Sequence, residues 1–247
     1  MDTADLINAL DREGRLLALA AGTAGTDAPV PTCPDWHVRD LLRHTGTVHR
    51  WAASYITEGH TAFHPSGAEP ALDGRELIDW FGEGHRALVD ALSAAPKDLE
   101  CWQFMPAPSP LAFWARRQAH ETAVHRADAE SARGGDFTAP DPEFAVDGID
   151  ELLLAFHGRE KSRVRTSTPR TLRVRAADAD AVWTVRLSEG VPLTVRDDDG
   201  PADCELGGSA YDLYLALWNR LPLSRVTVAG DASLAGLWRE KSAITWG

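Results

Sequence analysis

The residues with the clearest capacity for chemistry are Glu121 and His125, which lie four residues apart in WARRQAHETAVHRADAE, residues 114–130. The stretch has helical spacing, and four residues are about one turn, so both side chains project from one face and can reach the same metal ion. The pair alone is weak evidence, because this spacing is common on solvated helices. A metal site needs at least one further donor.

A second stretch, DWHVRDLLRHTGTVHRWA at residues 35–52, supplies that donor as His44. His44 falls on the helical stripe of Leu41, Val48 and Trp51, which predicts that it points towards the interior. A lone histidine there is more often a hydrogen-bonded core residue than a ligand. Burying the Glu121 carboxylate without a partner is costly, however, so the three residues together favour a metal. Two imidazole nitrogens and one carboxylate oxygen are typical of an open catalytic zinc site.

The other histidines are weaker candidates. His49 lies about 140° around the helix from His44, and His120 lies about 100° from Glu121, so neither easily faces the same ion. We expect His49 to line the pocket or support a ligand, and His120 to serve helix packing. The remaining histidines show no pairing above background: His37, His60, His64, His85 and His157.

Apolar spacing predicts helices first and strands later. Ser109 followed by Pro110, and Asp35, are predicted helix starts, and the acidic run 197–199 before Gly200 predicts a solvated hairpin turn. The predicted helices cover about residues 4–21, 35–57, 75–94, 110–132, 145–159, 211–219 and 232–241, and the predicted strands 172–176, 182–188, 192–198, 202–208 and 225–230. We therefore expect an α+β protein with a metal-binding helical bundle over residues 1–160 and a small α+β domain over residues 161–247.

Composition excludes several classes of function. A net charge of −12 argues against nucleic-acid and anionic-membrane partners. Cys33, Cys101 and Cys204 show no metal or disulfide spacing and are expected to be reduced. The chain contains no signal peptide pattern and no apolar run long enough to span a membrane, and it lacks nucleotide-binding and nucleophile-elbow motifs. We expect a cytoplasmic protein that is a monomer or a weak homodimer.

The chain resembles the mycothiol-dependent maleylpyruvate isomerase family, whose N-terminal half is a DinB-like four-helix bundle. The resemblance rests on VPTCPDWHVRDLLRHTGTVHRWA, RRQAHETAVHRADAE, GPADCELGGSAYDLYLALWNRLPL and VTVAGDASLAGLW. It implies a small C-terminal domain similar to sterol-carrier proteins. It also implies a zinc ion held by His44, Glu121 and His125, and a catalytic arginine that binds the acidic substrate. Arg220, in LWNRLP, is the nearest match to that arginine.

The resemblance further implies mycothiol as a thiol cosubstrate. A site with two histidines, one glutamate and an open position can hold a thiol as its reactive thiolate. Addition to a small unsaturated acid, bond rotation and elimination would isomerise a cis double bond. Stopping after the addition would make the protein an S-transferase, and the sequence does not separate these reactions. Two further hypotheses remain open: a non-catalytic metal- or ligand-binding protein that retains the bundle, and a metal-free structural bundle.

Overall fold

The computed structural model describes residues 1–198 and 200–244, and the chain divides into two compact units, residues 1–138 and 139–247. Four helices form the first unit: α1 (Thr3–Ala24), α2 (Val38–Glu58), α3 (Gly74–Ala94) and α4 (Pro110–Arg133). Helix α1 packs along α4 and against α3, α2 packs along α3, and α2 also contacts α4. The first unit is therefore a four-helix bundle.

Of the two predicted helix starts, that of α4 agrees with the structure and that of α2 does not. Ser109 accepts a hydrogen bond from the backbone N of Ala112 at 3.1 Å, and Pro110 opens α4, as predicted. The prediction that Asp35 caps α2 is wrong. The N-cap is His37, whose backbone N donates to Asp40 Oδ2 at 2.9 Å. A turn precedes α2, in which the backbone N of Trp36 donates to the carbonyl of Cys33 at 2.8 Å. Asp35 lies within this turn and therefore stays outside the helix.

Helix α4 is buried on all sides over residues 117–130. Its charged side chains are therefore paired inside the bundle, since an unpaired buried charge is costly. The Arg126 guanidinium donates to Glu13 Oε2 of α1 at 2.7 Å, to Glu130 Oε2 at 2.6 Å and to the Thr138 carbonyl at 2.6 Å. This buried ion cluster links α4 to α1 and to the end of the unit.

Close approach of α2 and α3 depends on two glycines. The Trp80 ring of α3 lies against Gly46 of α2, and the Arg50 guanidinium of α2 lies against Gly84 of α3, so a Cβ at either glycine would overlap its neighbour. Arg50 also stacks on Trp80 at 3.8 Å and donates to its carbonyl at 2.7 Å. These contacts hold in place the helix that carries His44.

The second unit is built on a five-stranded sheet in the order β3-β2-β1-β4-β5, in which β1 and β4 are parallel and the other pairs antiparallel. Its elements are α5 (Pro142–Asp150), a π-helical turn (Glu151–Phe156), β1 (Arg170–Ala176), β2 (Ala181–Leu187), β3 (Leu193–Arg196), β4 (Cys204–Gly208), α6 (Ala210–Leu217), a 3-10 turn (Leu223–Arg225), β5 (Thr227–Gly230) and α7 (Ala232–Lys241).

The predicted hairpin turn at residues 197–200 is wrong. Strand β3 pairs with β2, and β4 pairs with β1, so this segment crosses the sheet instead of joining neighbouring strands. The carbonyl of Asp198 accepts a hydrogen bond from the Thr184 hydroxyl at 2.6 Å, which ties the crossing to β2. Asp199 lies outside the described residues.

Helix α5 lies in the second compact unit, which begins at residue 139, whereas the predicted domain boundary follows residue 160. Asp150, at the end of α5, accepts hydrogen bonds from Trp183 Nε1 at 2.7 Å and from Arg196 Nη1 at 2.9 Å. Phe144 contacts Tyr214 of α6 with ring centroids 6.4 Å apart. The sequence shows the helical period of this segment but not that its packing partners lie later in the chain.

The predicted class is confirmed: the chain is α+β, with an N-terminal DinB-like four-helix bundle followed by a small C-terminal α+β domain. No helix in the described part of the chain has the length and apolar character needed to cross a membrane. The three cysteines all lie within the described residues and form no disulfide there.

Candidate metal centre

The structure brings His44, Glu121 and His125 together between α2 and α4. Glu121 Oε1 lies 3.6 Å from His44 Nε2 and 3.2 Å from His125 Nε2. One donor atom from each residue lies within 4.8 Å of the others, and among the described residues this group contains three donors and no fourth. The side chain of His44 is 25% exposed and those of Glu121 and His125 10%, so the group is reachable from solvent.

Hydrogen bonds hold His125 in one orientation. Its Nδ1 donates to Asp128 Oδ2 at 2.9 Å, which leaves Nε2 facing Glu121. Asp128 is fully buried, and its Oδ1 accepts a hydrogen bond from the Thr32 hydroxyl at 2.6 Å. A carboxylate on the far nitrogen of a histidine is the usual support of a metal ligand, because it fixes the ring and makes the near nitrogen a better donor.

Arg117 holds the Glu121 carboxylate from the other side. Its Nη2 lies 3.1 Å from Glu121 Oε2, and the arginine side chain is 2% exposed. One turn separates the two residues on α4, so the pair is set by helix geometry. Glu121 therefore has one oxygen bonded to a buried cation and the other directed at His44 and His125.

The pKa values of Glu121 and His125 differ from those of exposed side chains of the same types. Burial raises the pKa of Glu121, but hydrogen bonds from His125 and His44, together with the Arg117 charge, outweigh it and hold that pKa well below its usual range. Burial lowers the pKa of His125, but hydrogen bonds to Asp128 and Glu121 outweigh it and raise that pKa to about 9. Without a metal the group is therefore an ionised glutamate beside a protonated histidine.

Trp36, in the loop before α2, packs on both histidines of the group. Its ring centroid lies 5.1 Å from that of His44 and 6.1 Å from that of His125, and it stacks on the second ring at 20°. The two imidazoles meet edge to face at 5.2 Å. Trp36 therefore shields one side of the group from solvent.

Beyond the three-donor group, aromatic residues also pack between α2 and α4. Trp51 and Trp114, whose centroids lie 5.3 Å apart, sit seven residues from His44 and Glu121 on their respective helices. Seven residues are two turns, about 10 Å along the helix, and return to nearly the same face. Phe63, which is 65% exposed, packs on the outside of Trp51.

His49 and His120 are not part of the three-donor group. His49 is fully buried, and its Nε2 lies 2.9 Å from the hydroxyl of Thr122. That hydroxyl donates to the Gln118 carbonyl at 2.7 Å, so it accepts from His49. Burial, reinforced by the charge of the neighbouring His85, lowers the pKa of His49 well below its usual value. His120 is also fully buried in α4.

Arg220 lies in the second unit, just after α6. Its backbone N donates to the Leu215 carbonyl at 2.7 Å, and its Nη1 donates to the Trp218 carbonyl at 2.9 Å. The side chain is partly buried. These contacts order the arginine locally, and its catalytic role stays a prediction.

Sequence reasoning missed Thr32, Trp36, Arg117 and Asp128 as parts of the site. Arg117 and Asp128 carry a local signal, because they lie four residues before Glu121 and three after His125 and must share their helix face. Thr32 and Trp36 come from the loop just before α2, and Thr32 lies 96 residues from Asp128, so residue type alone does not predict the contacts of this loop with α4.

Comparison with known proteins shows the family and agrees with the fold. Residues 7–130 match the mycothiol maleylpyruvate isomerase N-terminal domain, and residues 143–237 match the corresponding C-terminal domain. The solved structures of the mycothiol-dependent maleylpyruvate isomerase and of a histidine-to-alanine mutant give TM-scores of 0.63 and 0.64, with 12% identity and 93% of each chain covered. At this identity the likeness shows the fold alone. No curated protein sequence matches the chain.

The fold and the site define a class of protein: a DinB-like four-helix bundle that carries a His-Glu-His group on two facing helices and is followed by a small α+β domain. Within that class, the chain belongs to the mycothiol maleylpyruvate isomerase family.

Proposed function

We propose that the protein is a zinc- and mycothiol-dependent enzyme, an isomerase or thiol S-transferase acting on a small unsaturated acid. The convergence of His44, Glu121 and His125 within 4.8 Å carries the proposal. Two nitrogens and one carboxylate oxygen suit zinc, and a three-donor group leaves a coordination position open. Zinc bound there would keep a thiol in its nucleophilic thiolate form at neutral pH.

The surrounding residues would prepare this site before any ligand arrives. Arg117 and Asp128 hold Glu121 and His125 in the orientations that a shared ion requires. Trp36 excludes water from one side of the group. The aromatic residues two turns away, beginning with Trp51, offer an apolar surface to the remainder of the thiol or the electrophile.

Family membership supports mycothiol as the thiol. We propose that mycothiol attacks a carbon–carbon double bond conjugated to a carbonyl group. Elimination after rotation returns the thiol and a trans product, whereas a stable adduct makes the reaction a conjugation. Arg220 is proposed to bind a substrate carboxylate, because an arginine can hold both carboxylate oxygens at once.

The test is a thiol assay with the zinc-loaded, full-length protein. Maleylpyruvate, a simple maleate ester and an aryl halide are each supplied with mycothiol, with glutathione or with no thiol. Isomerisation changes the ultraviolet spectrum of the acid while the thiol concentration stays constant, and conjugation consumes thiol stoichiometrically. If stoichiometric zinc is bound but no thiol-dependent turnover appears with any electrophile, the enzymatic proposal is wrong and a metal-binding protein remains.

Replacing Asp128 by asparagine is expected to weaken zinc binding about 10- to 100-fold, the usual effect of losing the carboxylate behind a metal-bound histidine. The measurement is zinc affinity by chelator competition, together with the thermal midpoint of unfolding. Thr32→Val, which removes the hydroxyl that donates to Asp128 Oδ1 and also bonds Ser131 Oγ at 3.1 Å, is the matched control and should have a smaller effect. Unchanged affinity in a folded Asp128→Asn protein would show that this carboxylate does not support a ligand.

Replacing Arg220 by alanine is expected to lower kcat/KM for a carboxylate-bearing substrate roughly 10- to 100-fold, the range for losing a charge-assisted hydrogen bond. Zinc content and turnover of an uncharged electrophile should stay unchanged. Arg225→Ala is the matched control, because this arginine is 60% exposed and pairs with Asp212 in the same unit. An equal loss on charged and uncharged substrates, or unfolding, would make Arg220 a structural residue.

A further inference from the structure

A small cavity in the second unit is lined by cationic side chains. Its volume is about 250 Å³, and segments 156–163 and 241–244 enclose it. No aspartate or glutamate is among its described lining residues. The cations that line it are Arg159, Lys161, Arg163 and Lys241.

This cluster of positive charge contrasts with the acidic character of the chain as a whole. The net charge is −12, and of the three lysines, Lys97, Lys161 and Lys241, two line the cavity. The same four residues, Arg-Glu-Lys-Ser, occur at 159–162 and again at 239–242, and each copy contributes its lysine. Two separate segments thus bring like charges together, which is unfavourable unless something negative lies between them.

Buried polar groups line the same cavity. His157 is 1% exposed and Ser162 8%. The Ser162 hydroxyl oxygen accepts a hydrogen bond from the backbone N of Val164 at 3.4 Å and shares a second hydrogen bond with His157 Nδ1 at 3.0 Å. His157 Nε2 is buried and has no partner in normal hydrogen-bond geometry among the described residues, and the Ser242 carbonyl is a weaker acceptor beside the ring. When Nε2 carries the ring hydrogen, a bound anion can accept a better-aligned hydrogen bond from it.

His157 does not add to the charge of the cavity at neutral pH. Burial and the charge of Arg159 lower the pKa of His157 to about 4, against a smaller opposing effect from the Ser242 carbonyl. The imidazole is therefore neutral at that pH. The lysines and arginines supply the attraction for an anion.

Two of these cations, Lys161 and Arg163, have no carboxylate partner within the described residues. Lys161 forms no ion pair within the described residues, and Arg163 donates to the uncharged carbonyl of Ala243 at 2.8 Å. Lys241 pairs with the neighbouring Glu240 at 2.6 Å. Positive charge therefore exceeds negative charge around the cavity.

We propose that this cavity binds a small oxyanion, with inorganic phosphate as its simplest form. Its volume lies below the roughly 300 Å³ of the smallest pockets for drug-sized ligands, so it suits a single charged group. Lysine offers a point charge and arginine a planar fork to phosphate or carboxylate oxygens. The acidic surface elsewhere disfavours a polyanion. The inference is independent of the thiol chemistry proposed for the bundle.

Lysine acetylation provides the test, because the chain has three lysines and one of them is remote in sequence and outside the cavity. The full-length protein is treated briefly with acetic anhydride, with and without phosphate, and each lysine is quantified by mass spectrometry. At ten times Kd, mass action leaves about one site in eleven unoccupied, so acetylation of Lys161 and Lys241 should slow roughly tenfold. Lys97, which is exposed, should react at an unchanged rate.

Chloride at matched ionic strength controls for the screening of charges by salt. Maleate in place of phosphate tests whether the site binds a carboxylate or a phosphoryl group. Protection by phosphate assigns the site to phosphoryl groups, and protection by maleate alone assigns it to organic acids. Lys161→Gln combined with Arg163→Gln should abolish protection of Lys241, whereas Lys97→Gln should not. Equal slowing at all three lysines, or no slowing up to about 100 mM of either anion, would overturn the proposal.

Discussion

Replacing His44 or His125 by alanine, or Glu121 by glutamine, should each weaken zinc binding at least about 100-fold, because even the partners behind metal ligands are worth 10- to 100-fold. Each change removes one of three donors that lie within 4.8 Å of one another. Glu121→Gln is the sharpest variant, since it keeps the shape and an oxygen for Arg117 but removes the charge. Zinc content after dialysis against a weak chelator is the measurement.

The controls are other histidines of the same protein. His37→Ala changes a half-exposed side chain at the start of α2 and should retain zinc. His49→Ala and His120→Ala should also retain it in whatever fraction stays folded, because both side chains lie outside the group. Loss of zinc with these variants and retention with Glu121→Gln would mean that the wrong donors have been chosen.

Replacing Arg126 by methionine should lower the free energy of unfolding by about 3–5 kcal/mol, the usual cost of leaving a buried charge without its partner. Arg126 is 1% exposed and bonds both Glu13 and Glu130, which are 1% and 2% exposed. Methionine fills similar space but leaves two carboxylates in the bundle interior. Urea unfolding followed by circular dichroism at 222 nm measures the change, because long helices dominate the first unit.

Arg15→Met is the matched control for this prediction. Arg15 pairs with Asp11 one turn away, but its side chain is 70% exposed. Exposed pairs of this kind contribute between zero and about 1 kcal/mol, so the control should be nearly neutral. A loss below about 1 kcal/mol for Arg126→Met, no larger than that of the control, would show that the buried cluster does not stabilise the bundle.

Sequence spacing predicted the features that depend on neighbouring residues. Ser109 with Pro110 placed the start of α4, and the apolar set before Lys241 placed α7, because caps and helical faces act over three or four residues. The same locality brought Glu121 and His125 to one face of a helix. His44 could be added because its helix has a strong apolar stripe.

Features that depend on distant packing could not be predicted in this way. Asp35 has the right side chain for a cap, but a turn closed by contacts outside the helix holds it away from α2. The helical spacing of α5 predicts one more helix of the bundle. In the structure, however, Asp150 of α5 accepts hydrogen bonds from Trp183 and Arg196 of the sheet. The strand order could also not be predicted from neighbouring residues, because β1 pairs with β4 and these strands are separated in sequence by β2 and β3.

Helix α4 carries two of the three candidate metal donors and also the arginine of the buried ion cluster. His125 is next to Arg126 and about one and a half turns before Glu130 along the same rigid backbone. Heat inactivation should therefore follow the unfolding of the whole bundle in one cooperative step. We expect no earlier stage in which only the candidate metal donors lose their arrangement. Attempts to improve heat tolerance should begin at the interface of α1 with α4 rather than at the loop before α2.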